Sequence, residues 1–114
     1  MTEEPYVPER GDLVWLTFDP QAGVEQAGRR PALVMSPARY NRAVGLMLAC
    51  PVTSQRKGYA FEVLIPPGTG IRGVVLADHV KSVDWRARGI EFIAAAPPEA
   101  VADTLDRILG LLMD

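Results

Sequence analysis

The chain has 114 residues, 48% of them apolar and 23% charged, with a formal net charge of −2. That length gives one domain, residues 1–114, with room for a real hydrophobic core, and the composition excludes a disordered chain. One cysteine and one histidine exclude an internal disulfide and leave a transition-metal centre short of its usual ligands.

The first twelve residues, MTEEPYVPERGD, are acidic and proline-bearing and lack the basic and apolar regions of a secretory signal. No apolar stretch approaches the roughly 18 residues that cross a bilayer. The expectation is therefore a cytoplasmic protein with no membrane partner. Leu13–Phe18 is a nearly continuous apolar run of strand length. Such a run predicts a strand covered on both faces, with a second subunit as one candidate cover. A glycine-bearing loop then places Glu25 and the pair Arg29-Arg30 within six residues. Pro31 leads directly into the next apolar run, Ala32–Met35. Ser36 to Asn41 reads as a helical turn with Pro37 at its first position.

Further strand-length runs follow at Leu46–Val52, Phe61–Ile65, Val74–Ala77 and Ile90–Ala94, with Lys81–Trp85 as another candidate. Cys50 sits inside the first of these and reads as a small buried hydrophobe. Gly68-Thr69-Gly70-Ile71-Arg72-Gly73 is glycine-rich, but Pro66-Pro67 precede it and no helix follows. It matches neither a P-loop nor a dinucleotide fingerprint and reads as a connection, although a basic loop could close over an extended substrate. Pro97-Pro98 end the strand pattern, and Glu99 to Met113 follow a helical period. Val101, Leu105, Ile108 and Leu112 make one apolar face, and Glu99 and Asp103 suit the positive end of the helix dipole. These elements predict a mainly β protein, a small curled antiparallel sheet or barrel closed by a C-terminal helix.

Charge is unevenly spread. Residues 1–28 carry −5, residues 29–88 carry +7 and residues 89–114 carry −4. A basic middle segment points to an anionic partner, while a solvated surface would also account for it. Two polar clusters follow apolar strands: Glu25 with Arg29 and Arg30, and Thr53-Ser54-Gln55-Arg56-Lys57. If those strand ends converge, they supply a carboxylate, guanidiniums, hydroxyls and an amide. Arginine suits phosphate because its planar fork donates paired hydrogen bonds and stays charged. Spacing alone leaves separate surface loops equally open. His79 is the one histidine, so a two-histidine nuclease mechanism is excluded, and a strand or surface role fits it best.

The strings GDLVWLTFDPQAGVEQAGRRPALVMSPARYN, CPVTSQRKGYAFEV and GVVLADHVKSVDWRARG closely resemble the MazF toxins of bacterial toxin–antitoxin systems. The resemblance runs from about Tyr6 into the C-terminal helix. It implies a small SH3-like β-barrel, closed by that helix, which forms a homodimer. It implies an endoribonuclease without a metal or other cofactor, which cuts single-stranded RNA in a sequence-specific way and arrests translation. It further implies a cognate antitoxin that winds an acidic tail across the dimer and blocks the RNA site.

By the same resemblance the catalytic arginine, after EQAG and before a proline, is Arg30. The catalytic threonine, after the proline of the third strand, is Thr53. The glutamate of EQAG is Glu25. Glu25 is the better candidate base, because arginine hardly deprotonates below a pH of about 12; orienting Arg30 is its other possible role. Phe18, Gln26, Arg29, Ser54, Gln55, Lys57, Asp78, His79 and Lys81 are the candidate RNA contacts. Two positions depart from the usual pattern. Arg29 stands where relatives often carry another residue, histidine among them, and His79 stands where glutamine is common. Both bear on which bases are read. The rival reading is a CcdB-like toxin, which shares the barrel but poisons DNA gyrase through a helix ending in an aromatic residue. The sequence Leu111-Leu112-Met113-Asp114, together with Glu25, Arg30 and Thr53, favours the nuclease.

Overall fold

The computed structural model describes residues 5–18 and 28–114. Seven strands and two helices lie among them. In chain order they are β1 (Asp12–Phe18), β2 (Gly28–Val34), α1 (Ala38–Val44), β3 (Leu46–Thr53), β4 (Glu62–Leu64), β5 (Val74–Leu76), β6 (Lys81–Asp84), β7 (Glu91–Ala95) and α2 (Pro98–Met113). A single 3-10 turn, Ala77–His79, joins β5 to β6.

The strands form one antiparallel sheet in the order β4-β5-β3-β2-β1-β7, with β6 also paired to β3. The long β3 is the hub. Its first half, Leu46–Ala49, pairs with β6, and Val52-Thr53 pair with β5. No pairing joins β4 to β7 among the described residues, so the sheet is open at its ends. The described residues thus form a mainly β protein with two helices, the second of them C-terminal.

The near-continuous apolar runs have a physical reason. Side chains of a strand alternate faces, and both faces of this sheet carry a core. Leu13, Leu33, Cys50, Val52 and Val75 build one core, covered by Val101, Leu105 and Ile108 of α2. Val14, Leu16, Ala32, Val34, Met47 and Ala49 build the other, with Val83 and Trp85. At β1 the first core reaches only Leu13, and Trp15 and Thr17 on the same face are exposed. Leu112, the fourth residue of the expected helix face, is 74% exposed instead.

Two smaller differences from expectation have simple causes. Pro37 is the residue before α1 rather than its first position: its ψ of 155° is extended, and its carbonyl accepts the Asn41 amide at 3.0 Å. Phe18, expected at the RNA surface, is 1% exposed and packed in the second core. It sits on the same face of β1 as Leu16, two residues earlier, so the alternation that buries one buries the other.

Candidate active site

The β2 and β3 strand ends set the site. Ala32 pairs with Pro51, Leu33 with Cys50 and Val34 with Ala49. Continued by two residues, this register sets Arg30 across from Thr53. Cross-strand neighbours share a face, so the guanidinium and the hydroxyl leave the sheet on the same side. An open cleft of about 460 Å³ lies here, lined by Trp15, Arg29, Arg30, Thr53, Ser54, Gln55 and Arg72 among others. Three arginines and no acidic side chain are among its described lining residues, so its charge suits an anion.

The two arginines of the pair are not equivalent. Arg29 is opposite Thr17 on β1, while Arg30 is opposite Leu16. Adjacent residues of a strand point to opposite faces. Arg29 accordingly reaches the outer edge of the sheet. Its Nη1 donates to Thr17 Oγ1 at 3.2 Å, and its Nη2 to the Gly89 carbonyl at 3.0 Å and to Glu91 Oε1 at 3.2 Å. Arg30 is half-buried at the other face.

Thr53 is held from behind. The Gln55 amide donates to Thr53 Oγ1 at 3.2 Å, which leaves the hydroxyl hydrogen for an acceptor in the cleft. Gly73, at φ +130°, lies so close that a Cβ built on it would sit 2.2 Å from the Thr53 carbonyl oxygen. Only glycine allows that approach. The glycine-rich segment thus works as a close backing for Thr53, a role that its lack of a phosphate-loop pattern had hidden.

Thr53 and Gln55 also line a second depression, of about 280 Å³, together with Lys57, Tyr59, Glu62, Leu76, Asp78 and His79. Here Tyr59 Oη donates to Asp78 Oδ1 at 2.9 Å. Burial, together with that carboxylate, raises the Tyr59 phenol to about 12. Its neighbour Glu62 is held below the ordinary carboxylate range, chiefly by the Lys57 amide and then by the Gly58 amide and the Arg56 charge.

Of the residues singled out from sequence, Arg29, Arg30, Thr53, Ser54 and Gln55 meet in the first cleft. Lys57, Asp78 and His79 meet in the second depression. Lys81 stands apart on β6, its Nζ 5.8 Å from the Phe18 ring centre. Glu25 and Gln26 lie outside the described residues. Sequence reading missed Trp15, Tyr59 and Arg72. An aromatic within the polar loop and an arginine within the glycine-rich loop were the available signals. Among the described residues, no three His, Cys, Asp or Glu side chains gather where they could hold a metal ion. The arrangement can bind a phosphodiester through guanidinium forks and donate a hydroxyl hydrogen to it, beside a depression with polar and aromatic walls.

Residues 9–112 match the sequence pattern of the PemK-like, MazF-like toxins of type II toxin–antitoxin systems. The endoribonuclease toxin MazF of Escherichia coli K12 is 53% identical over 94 residues, which cover 82% of this chain and 84% of that one. A crystal structure of MazF from Deinococcus radiodurans is 57% identical and superposes with a TM-score of 0.92, over 96% of this chain and all of that one. A MazE–MazF crystal structure from the same organism is 58% identical with a TM-score of 0.86, covering 95% of this chain and 97% of that one.

Proposed function

This chain belongs to the PemK-like, MazF-like toxin family of type II toxin–antitoxin systems, and we propose that it is a metal-independent endoribonuclease that cuts single-stranded mRNA at specific sequences and halts translation. The observation that carries this reading is the meeting of Arg30 and Thr53 in one cationic cleft, at the ends of adjacent strands.

In the proposed reaction the 2'-hydroxyl oxygen bonds to phosphorus as the bond to the 5'-oxygen breaks. The 2'-hydroxyl proton passes to a base, and the departing 5'-oxygen takes up a proton. The products are a 2',3'-cyclic phosphate and a 5'-hydroxyl. Arg30 binds the scissile phosphate and stabilises its growing negative charge. Thr53 donates its hydroxyl hydrogen to the same oxygens. Glu25 is the proposed base, on pKa grounds. Arg29, Gln26, Ser54, Gln55, Lys57, Asp78, His79 and Lys81 contact the strand on either side, by phosphate pairing, stacking and base-edge hydrogen bonds.

The proposed partners are a MazE-like antitoxin with an acidic tail and a second copy of this chain. The arginine-lined cleft suits such a tail as well as RNA. An apolar groove lined by Tyr40, Leu48, Leu109 and Leu112 between α1, β3 and α2, with Leu111 and Met113 also exposed on α2, supports assembly beyond one chain. We further propose one domain spanning residues 1–114, an SH3-like barrel as the finer description of the curled sheet, and a cytoplasmic location. No helix among the described residues is long and apolar enough to cross a membrane.

The decisive test is incubation with single-stranded RNA in EDTA, followed by mapping of the ends, with a gyrase supercoiling assay in parallel. Cyclic-phosphate ends from the intact protein and none from Arg30→Ala are the expected result. Inhibited gyrase with uncut RNA would overturn it in favour of the CcdB-like reading.

A further inference from the structure

Glu62 opens β4, directly after the polar loop that runs from Ser54 to Ala60. Its carboxylate turns back onto that loop. Oε2 accepts the Lys57 amide at 2.9 Å and Oε1 accepts the Gly58 amide at 2.7 Å. The Glu62 amide in turn donates to the Tyr59 carbonyl at 3.1 Å. Hydrogen bonds into an ionised carboxylate are the stronger kind.

Two further ties come from other elements. Tyr59 Oη reaches Asp78 in the 3-10 turn at 2.9 Å. Arg107 Nη1 on α2 donates to the Ala60 carbonyl at 2.6 Å, and Arg107 is itself paired with Asp103 at 3.4 Å. Every residue from Ser54 to Ala60 is exposed. Apart from Tyr59, whose ring lies 6.4 Å from that of Phe61, the loop is held by polar ties rather than by apolar burial.

The loop forms one wall of the second depression, and Thr53 sits between that depression and the arginine-lined cleft. The walls bring an aromatic ring (Tyr59), an amide (Gln55), an ammonium (Lys57) and a carboxylate (Asp78). Those groups suit an unstacked base, which proteins recognise by stacking and by hydrogen bonds to its edges.

We propose that Glu62 is a positioning residue for base reading: by clamping the Lys57 and Gly58 amides it fixes the loop so that the depression beside Thr53 takes one base next to the cleaved phosphate. The inference rests on the nuclease reading. It assigns a role to a carboxylate that lines the depression while both its oxygens are taken by the loop's own amides. The clamp needs both oxygens of a carboxylate. A glutamine offers one acceptor and sets an N–H2 against the second amide.

The test compares the intact protein with Glu62→Gln, Glu62→Ala and Tyr59→Phe on a mixed-sequence RNA pool with sequenced ends, then measures kcat and KM on the preferred site. The expected result for Glu62→Gln is a KM raised by roughly tenfold, the size of one loosened base contact, with kcat within about twofold. Preference should broaden at one position next to the cut. Tyr59→Phe should move the same way by less, and it carries the test if Glu62→Ala fails to fold. An active intact protein whose folded variants keep both KM and sequence preference overturns this inference alone, as does a fall in kcat with KM and preference unchanged. An intact protein that leaves RNA uncut sinks the nuclease reading and this inference with it.

Discussion

Arg30 and Thr53 line one cleft from the ends of adjacent strands; Arg29, one residue earlier, lines it too but is tied to Glu91 on β7. A single step along a strand separates a guanidinium set opposite Thr53 from one paired with Glu91. Arg30→Ala should lower kcat/KM by about 10- to 1,000-fold, equivalent to ~1–4 kcal/mol of transition-state stabilisation. Thr53→Ala should cost less, because it removes a neutral donor rather than a charged one. Single-turnover cleavage of a labelled RNA measures both, and near-native rates in a folded Arg30→Ala protein would falsify the assignment.

The Arg29–Glu91 pair is exposed, with the two side chains 40% and 73% accessible. Such a pair is worth ~0–1 kcal/mol, so Arg29→Ala should shift the unfolding midpoint only slightly. RNA binding should weaken by a similar factor for all sequences, and the slope of log affinity against log salt should shrink by about one. Glu91→Gln should leave that slope unchanged. Anisotropy titrations with a 2'-deoxy analogue at several salt concentrations decide between these outcomes.

Gly73→Ala should impair cleavage without removing any reactive group. The added Cβ meets the Thr53 carbonyl oxygen at 2.2 Å, in a backbone conformation that disfavours a side chain. Either Gly73 or Thr53 must move, and a shift of Thr53 misplaces its hydroxyl. A wild-type rate from this variant would show that the backing is unnecessary.

Asn41 is fully buried and ties three segments together. Its Nδ2 donates to the carbonyls of Pro8 at 2.8 Å and Ser36 at 3.0 Å, and its Oδ1 accepts from Ser36 Oγ at 2.6 Å. Asn41→Ala strands these partners away from water. Each unsatisfied buried group costs ~1–3 kcal/mol, so a loss of about 2–4 kcal/mol in denaturant unfolding is expected, with the arginine-lined cleft unaltered in the protein that remains folded.

Glu62 supplies a pH dependence whose sign is fixed. Its pKa is lowered in the folded protein from the ordinary 4.5, first by the Lys57 amide. The clamp is therefore fully present above that ordinary value and is lost as the pH falls below it, through the lowered folded value. Amide exchange at Lys57 and Gly58, corrected for intrinsic rates, should lose protection in that acidic window. Protection that persists after the carboxyl is protonated would show that the clamp does not hold the loop.

Much of this was legible in the sequence. The strands announced themselves as short apolar runs bounded by Gly, Pro, Asp and Ser, and α2 by its helical period after Pro97-Pro98. Arg30 and Thr53 were reachable through the resemblance of their flanking strings. Phe18 was not. An aromatic at a strand end reads equally as a stacking platform or as core, and only the facing of β1 put it inside. Glu62 was invisible for a different reason. A lone glutamate at the start of a strand looks like surface charge until the loop before it folds back onto its carboxylate.

The local elements, the cationic middle segment and the family could be read along the chain, because periodicity, charge and motif order are properties of neighbours in sequence. The tertiary structure was needed to show that both faces of the sheet carry a core, that Arg29 pairs with Glu91 while Arg30 stands opposite Thr53, that Gly73 backs Thr53, and that Glu62 accepts the amides of the loop beside the cleft. Each of those depends on strand register and facing. Register is set by pairing between residues far apart in sequence, and a shift of one residue would exchange every inward side chain for its outward neighbour.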